Sequence, residues 1–263
     1  MKLQLFITER IEMKNNFIVA FTILFFSLVS VTSFAQEGKD SLKILFVGNS
    51  YTHFENMPQI VSIISDSSKT KLFTRKSTGG GARLREHWLG ERGLKTKEMI
   101  KNGGFDIVVL QEYSMGAIDQ PDSLLKYSSL FCDFIKENKA KPYFYLTWAR
   151  EKVPQHQETI NKIYLKAATE NEANIVPVGK AWALAKQYRP DIELFNPDGS
   201  HPSDLGAFLT ACIFVATILD EIPDKINGIF TTNDLYGESI KLMAIHPLDV
   251  AFCVKIAEET ILK

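Results

Sequence analysis

Two stretches near opposite ends of the chain hold side chains that could act on one substrate together. Gly48-Asn49-Ser50-Tyr51-Thr52 offers a hydroxyl, and Asn196-Pro197-Asp198-Gly199-Ser200-His201-Pro202 places a carboxylate three residues before an imidazole. Three further sets stand between them: Gly79-Gly80-Gly81 running into Ala82-Arg83-Leu84, then Gln111-Glu112-Tyr113-Ser114, then Trp148-Ala149-Arg150. A serine hydroxyl is a weak nucleophile at its own pKa and needs a base within hydrogen-bond reach. An imidazole titrates nearest to neutral pH of all side chains. Backbone N–H groups in a glycine turn and side-chain amides are the donors that hold a developing oxyanion. Converging on one crevice, these sets supply a nucleophile, an oriented base and oxyanion donors. Singly, each is ambiguous. Asn49, Ser50 and Thr52 are all good helix N-caps. The glycine triplet suits an ordinary tight turn or an anion nest, and Gln111 and Glu112 suit a polar strand end. His246-Pro247, with no Asp three residues earlier, shows how little an isolated His-Pro pair says.

The elements around these sets decide whether they meet. Residues 43–47 (KILFV) form a short, mostly apolar run stopping at Gly48, the signature of a buried parallel strand. Similar runs at 71–77, 106–110, 142–147 and 174–178 give five strands. Helices are expected over 57–67, 123–137, 155–172, 179–188, 203–219 and 247–262, with one or two more over 83–102. An irregular loop covers 189–202. Strands alternating with helices imply βαβ units, hence one three-layer α/β/α domain over 36–263 with a five-stranded parallel sheet. No Pro/Ser-rich linker divides it. In such sheets ligands bind at the carboxyl ends of the strands, where the first four sets stand. Pro197, Gly199 and Pro202 make the last set a rigid turn rather than helix, because residues before proline avoid the α region.

With those positions in view, the chain resembles the SGNH (GDSL-like) hydrolases, a superfamily of esterases and lipases with a flavodoxin-like core. Gly48-Asn49-Ser50 stands where that family usually has Gly-Asp-Ser, and Asp198-Gly199-Ser200-His201-Pro202 matches its Asp-x-x-His-Pro block. Gly81, with Gly80 the neighbouring alternative, takes the place of the second-block glycine. The third block departs from the pattern: Leu110-Gln111-Glu112 follows the strand instead of Gly-x-Asn-Asp. The resemblance implies that Ser50 is the nucleophile, His201 the base and Asp198 the carboxylate that fixes the imidazole tautomer. It implies an oxyanion hole from the N–H groups of Ser50 and Gly81 and the amide of Gln111. No cofactor or metal ion is implied. The expected reaction is hydrolysis of a carboxylic ester through an acyl-enzyme, most readily removal of acetyl groups from carbohydrate. Tyr51, Tyr113 and Trp148 are expected to line the substrate wall, and Trp88 to pack between helices. Arg150 reads as a surface arginine, an anionic substrate group being its alternative partner. A lipase or thioesterase acting on longer acyl chains is the second reading, and Asn49 and Gln111, as departures, keep open a non-catalytic carbohydrate-binding protein of the same fold.

Charge and composition narrow the partners. Among 263 residues, 30 basic side chains face 31 acidic ones, a formal net charge of −1. A nucleic-acid binder needs a basic surface to neutralise phosphates, so that class is excluded. Gly90-Glu91-Arg92-Gly93-Leu94-Lys95-Thr96 lacks phosphate-loop spacing, and the glycine triplet lacks that of a dinucleotide fingerprint. Residues 17–31 are almost wholly apolar, with Lys14 before them and Ser33-Phe34-Ala35 after. That pattern is a signal peptide cut after Ala35, and it is short beside the roughly 20 residues of a membrane span. A single N-terminal anchor is the alternative. Cleavage removes three basic and two acidic residues, leaving 27 and 29 in 228 residues. The protein is therefore expected in the periplasm or secreted, without stable membrane insertion. Cys132, Cys212 and Cys253, an odd number in apolar surroundings, read as buried small hydrophobes rather than disulfides or zinc ligands.

Overall fold

Residues 40–262 are described by the structure, a computed structural model; the expected signal segment 1–35 lies outside them. In chain order the elements are β1 (Asp40–Gly48), α1 (Ser50–His53), α2 (Met57–Ile64), β2 (Thr70–Thr78), α3 (Leu84–Leu89), α4 (Thr96–Gly103) and β3 (Ile107–Leu110). There follow α5 (Gly116–Asp119), α6 (Pro121–Glu137), β4 (Lys141–Tyr145), α7 (His156–Glu170), β5 (Asn174–Val176) and α8 (Val178–Tyr188). The remainder is α9 (Asp204–Leu219), β6 (Ile229–Asn233), β7 (Ser239–Ala244) and α10 (Pro247–Ile261).

Successive side chains of a strand point to opposite faces, and β1 shows the consequence. Ile44 and Phe46 enter one core cluster, Leu45 and Val47 the other. The same split separates Ile107 and Val109 from Val108 and Leu110 on β3. Strands buried on both faces have no polar side, which is why they read as apolar runs. Helices α2, α8, α9 and α10 supply the first cluster; α3, α4, α6 and α7 supply the second. Helix α9 is buried continuously from Gly206 to Ala216; a helix apolar all round is one covered on every side. The five-stranded sheet is parallel throughout, in the order β2-β1-β3-β4-β5. Val47 pairs with Ser77 on one side and Leu110 on the other. The carboxyl ends of β1, β2 and β3 are therefore level, and the loops after them open on one edge.

The 83–102 stretch forms two helices. The hairpin β6–β7 is an addition, lying where no element was expected. Its residues expose Ile229 and Ile240 while burying Phe230 and Met243, and Phe230 packs 5.6 Å from Phe208 of α9. A lone two-stranded ribbon draws its stability from such packing rather than from its own sequence. Cys132, Cys212 and Cys253 are buried and unpaired.

Candidate active site

The loop after β1 is built around Gly48 and Asn49. A Cβ at residue 48 would lie 2.5 Å from Gln111 Oε1 and 2.6 Å from Thr52 Oγ1, so only glycine fits. Asn49, not Ser50, caps α1: its Oδ1 accepts the Tyr51 N–H at 3.1 Å. Its Nδ2 donates to Ala82 O at 3.0 Å and Glu112 O at 3.3 Å. One buried amide thereby ties the loops after β2 and β3 to the loop after β1. Because Asn49 does the capping, the Ser50 hydroxyl is available elsewhere, and Ser50 Oγ lies 2.8 Å from His201 Nε2.

The 196–202 turn presents the imidazole. Asp198 Oδ1 accepts the N–H groups of Ser200 and His201, each at 2.9 Å. Its Oδ2 meets His201 Nδ1 at 2.5 Å. Burial of the Asp198 carboxyl raises its pKa, but the imidazole bond and the two backbone N–H bonds outweigh that and hold it at about 2. The carboxylate is thus ionised and only accepts, so Nδ1 carries the proton and the Nε2 lone pair faces Ser50. That tautomer follows from the bonding network. The turn is fixed from outside as well. Trp148 Nε1 donates to Ser200 O at 3.0 Å, Tyr51 Oη lies 2.8 Å from Ser200 Oγ, and the Glu151 N–H donates to Gly199 O at 2.9 Å. Phe54 stacks on the imidazole, with ring centroids 4.3 Å apart.

The oxyanion donors divide differently from the expectation. Gly79 to Ala82 form a turn closed by the Ala82 N–H donating to Gly79 O at 2.9 Å. Gly81 has φ +65°, a conformation that disfavours any side chain. The Gly79 N–H donates to Gly48 O at 3.3 Å, anchoring the turn beside the nucleophile loop. Among the described residues the N–H groups of Ser50, Gly80 and Gly81 have no hydrogen-bond partner, so Gly80 and Gly81 are both open to a substrate oxygen. Gln111 is a correction. Its side chain is fully buried, its Oε1 accepts the Asn49 N–H at 3.0 Å and the Thr52 hydroxyl at 3.1 Å, and its Nε2 donates to Glu112 O. It braces the nucleophile loop from beneath, with its side chain buried.

Two of the three expected wall residues are also corrected. Tyr51 and Trp148 are buried, stacked on each other at 4.7 Å, and Trp148 stacks on Trp182 at 3.8 Å. Their polar tips hold Ser200, so they position the 196–202 turn instead of forming a wall. Tyr113 remains partly exposed, and Trp88 packs edge-on against Phe131 and Phe134 between helices. Sequence reasoning missed three contributors. Phe54 stands four residues after Ser50, a helical spacing that could have flagged it. His87 is buried on α3, where Nε2 meets Gly48 O at 2.8 Å and Nδ1 meets Thr96 Oγ1 at 2.7 Å; nothing in its sequence neighbourhood signals that. Arg83 lies over the Tyr113 ring at 4.6 Å.

A parallel sheet whose carboxyl edge carries this constellation defines an ester-acting hydrolase. The structure is similar to a Slackia heliotrinireducens protein named as an SGNH hydrolase, at 26% identity and TM-score 0.57, covering 68% of this chain and 100% of that one. It is similar also to a DUF4886 family protein from Bacteroides uniformis, at 18% identity and TM-score 0.67, covering 85% and 95%. A third likeness is to the acetyl xylan esterase AlAXEase, at 16% identity and TM-score 0.53, covering 67% and 100%. Neither a protein-family model nor a curated protein matches the sequence. By fold and structural likeness the chain is similar to the SGNH (GDSL-like) hydrolases.

Proposed function

We propose that this protein is an exported serine esterase that removes acetyl or similarly small acyl groups from carbohydrate. The observation that carries the reading is the relay Asp198–His201–Ser50, with 2.5 Å and 2.8 Å between successive polar atoms. Ser50 Oγ attacks the ester carbonyl while His201 Nε2 takes its proton, and Asp198 stabilises the imidazolium that forms. The oxyanion settles against the N–H groups of Ser50 and the Gly80-Gly81 turn; one such donor is worth about 100- to 1,000-fold in rate. His201 returns the proton to the leaving alcohol, and water then opens the acyl-enzyme by the same route.

Two observations support a small acyl group on a polar alcohol. The loops tied to the nucleophile loop carry the polar side chains Arg83 and Tyr113, with Arg150 bonded to Tyr113. An acetyl xylan esterase stands among the structural relatives. Export rests on the apolar segment at 17–31 and the small residues at 33 and 35. The test is hydrolysis of short- and long-chain p-nitrophenyl esters by the protein from residue 36, beside Ser50→Ala and His201→Ala, followed by acetate release from acetylated polysaccharides. Rapid turnover of the acetyl ester, lost in both variants, is the expected result. Equal rates for wild type and Ser50→Ala would remove the enzymatic reading, and preference for long chains would replace deacetylation by lipase or thioesterase action.

A further inference from the structure

Arg150 is an arginine without an acid. It follows β4 at the carboxyl edge of the sheet, and no carboxylate pairs with it among the described residues, whereas Arg85, Arg92 and Arg189 each meet one. Its neighbour Glu151 pairs with Lys186 at 3.5 Å. Arg150 Nη2 donates to Tyr113 Oη at 3.2 Å and to Ser114 Oγ at 2.8 Å, bonds that set the plane of the guanidinium. Nε is enclosed and has no partner, so Nη1 is the part of the fork left to a ligand. On the other side of Tyr113, Arg83 lies over the ring at 4.6 Å, with Arg150 at 5.9 Å. Arg83 also forms no ion pair: Glu86 accepts its backbone N–H at 2.8 Å, and Glu112 is engaged by the N–H groups of Leu84 at 3.1 Å and Tyr113 at 2.7 Å.

The loops that carry Arg83 and Tyr113 are tied to the nucleophile loop. Asn49 Nδ2, one residue from Ser50, donates to the carbonyls of Ala82 and Glu112, the residues immediately before Arg83 and Tyr113. The Arg150 charge faces Tyr51 Oη, whose ring follows Ser50 in sequence and whose hydroxyl meets Ser200. Two guanidinium groups over one phenol, neither of them in an ion pair, form a site for an anion, whose oxygens accept charge-assisted N–H···O bonds from them. Sequence reading left an anionic partner as the lesser option for Arg150; its approach to Tyr51, whose hydroxyl meets Ser200 next to the catalytic imidazole, makes it the stronger one.

We propose that Arg150, Arg83 and Tyr113 form a carboxylate subsite, so that the ester hydrolysed at Ser50 belongs to a molecule carrying a carboxylate, as in an O-acetylated uronic-acid sugar. This rests on the esterase reading above and specifies its substrate class. The test pairs an O-acetylated methyl galacturonoside with its carboxamide, which has nearly the same shape and no charge, and reads acetate release at low ionic strength. In the wild type kcat/KM should favour the acid by about 10- to 100-fold, the range of a hydrogen bond to a charged group, with the difference carried by KM. Raised salt should shrink the ratio. Arg150→Gln should bring it near one, and Arg150→Lys should restore part of it. A parallel comparison of p-nitrophenyl hemisuccinate with p-nitrophenyl acetate reads a carboxylate on the acyl half; preference in either pair supports the subsite and locates its ligand. Titration of the same acid and amide into Ser50→Ala measures the subsite without turnover. Equal kcat/KM within both pairs, or equal binding of acid and amide where no turnover exists, overturns the carboxylate subsite. Ser50-dependent acetate release in that case leaves the esterase reading standing, so the two failures are distinguishable.

Discussion

Replacing Asp198 by Asn tests the relay through a proton rather than through a lost contact. In the native turn Oδ1 accepts two backbone N–H groups, from Ser200 and His201, while Oδ2 meets the imidazole. An asparagine must keep its carbonyl oxygen on the two N–H groups, because its NH2 there would oppose two donors. The amide NH2 is thereby aimed at His201 Nδ1. Facing a donor, Nδ1 must become the acceptor, and the ring proton moves to Nε2, 2.8 Å from Ser50 Oγ. An Nε2–H cannot take the serine proton. The loop geometry survives while the base is in the wrong tautomer, a change worth about 10⁴ in kcat where it occurs in serine hydrolases. At about 1.4 kcal/mol per tenfold, that is about 5.5 kcal/mol of transition-state stabilisation. The assay is kcat on p-nitrophenyl acetate together with the thermal midpoint. A fall of about 10⁴ with the midpoint within a degree or so is the expected pair. A kcat within tenfold of wild type at an unchanged midpoint would refute the assignment of Asp198 as the residue that sets the tautomer.

Gln111→Leu removes the acceptor for the buried Asn49 N–H and Thr52 hydroxyl, costing about 1–3 kcal/mol, or about 2–12 °C at about 2–4 °C per kcal/mol; thermal unfolding reads it. An unchanged midpoint with a hundredfold loss of kcat would instead restore Gln111 to the oxyanion hole. Phe54→Ala removes the ring stacked on the imidazole; an aromatic pair worth about 0.5–1.5 kcal/mol predicts a roughly 2- to 12-fold loss of kcat with KM little changed, and full kcat would show the stack to be incidental. Burial lowers the pKa of His87, so the folded protein holds this ring neutral where the unfolded chain would protonate it. Its contribution is complete above the unfolded value of about 6.5 and is lost as the pH falls from there toward the lowered folded value. Urea midpoints measured from pH 7.5 down to 5 should therefore fall more steeply for the wild type than for His87→Gln, and parallel curves would contradict this.

Much of the architecture was legible before any coordinates. The five strands are apolar runs because both of their faces are buried, and a run such as Ile107–Leu110 has no other economical reading. The hairpin at Ile229–Ala244 was not legible, because its two strands are half exposed and owe their order to Phe230 packing on α9. Likewise the roles of polar residues at strand ends escaped the sequence. Gln111 and Asn49 have the same hydrogen-bonding repertoire on paper. Only the register of β1 against β3 puts Gln111 beneath Gly48 and turns its amide inward. Tyr51 and Trp148 looked like wall residues because aromatic rings at strand ends often are, but stacking against Trp182 buried them.

The amino-acid order by itself determined the alternation of strands and helices, and with it which end of the sheet would carry the chemistry, since periodicity and apolar runs are local properties. It also determined which side chains were available there: a serine after the first strand and an Asp-x-x-His 148 residues beyond it. What the tertiary structure decided was which of the available groups point at one another. Asn49 caps α1 and releases Ser50 Oγ, the Asp198 turn orients the imidazole, and two arginines from separate loops come together over Tyr113. Those outcomes depend on parallel pairing between strands more than 60 residues apart, a long-range property that no window of sequence contains.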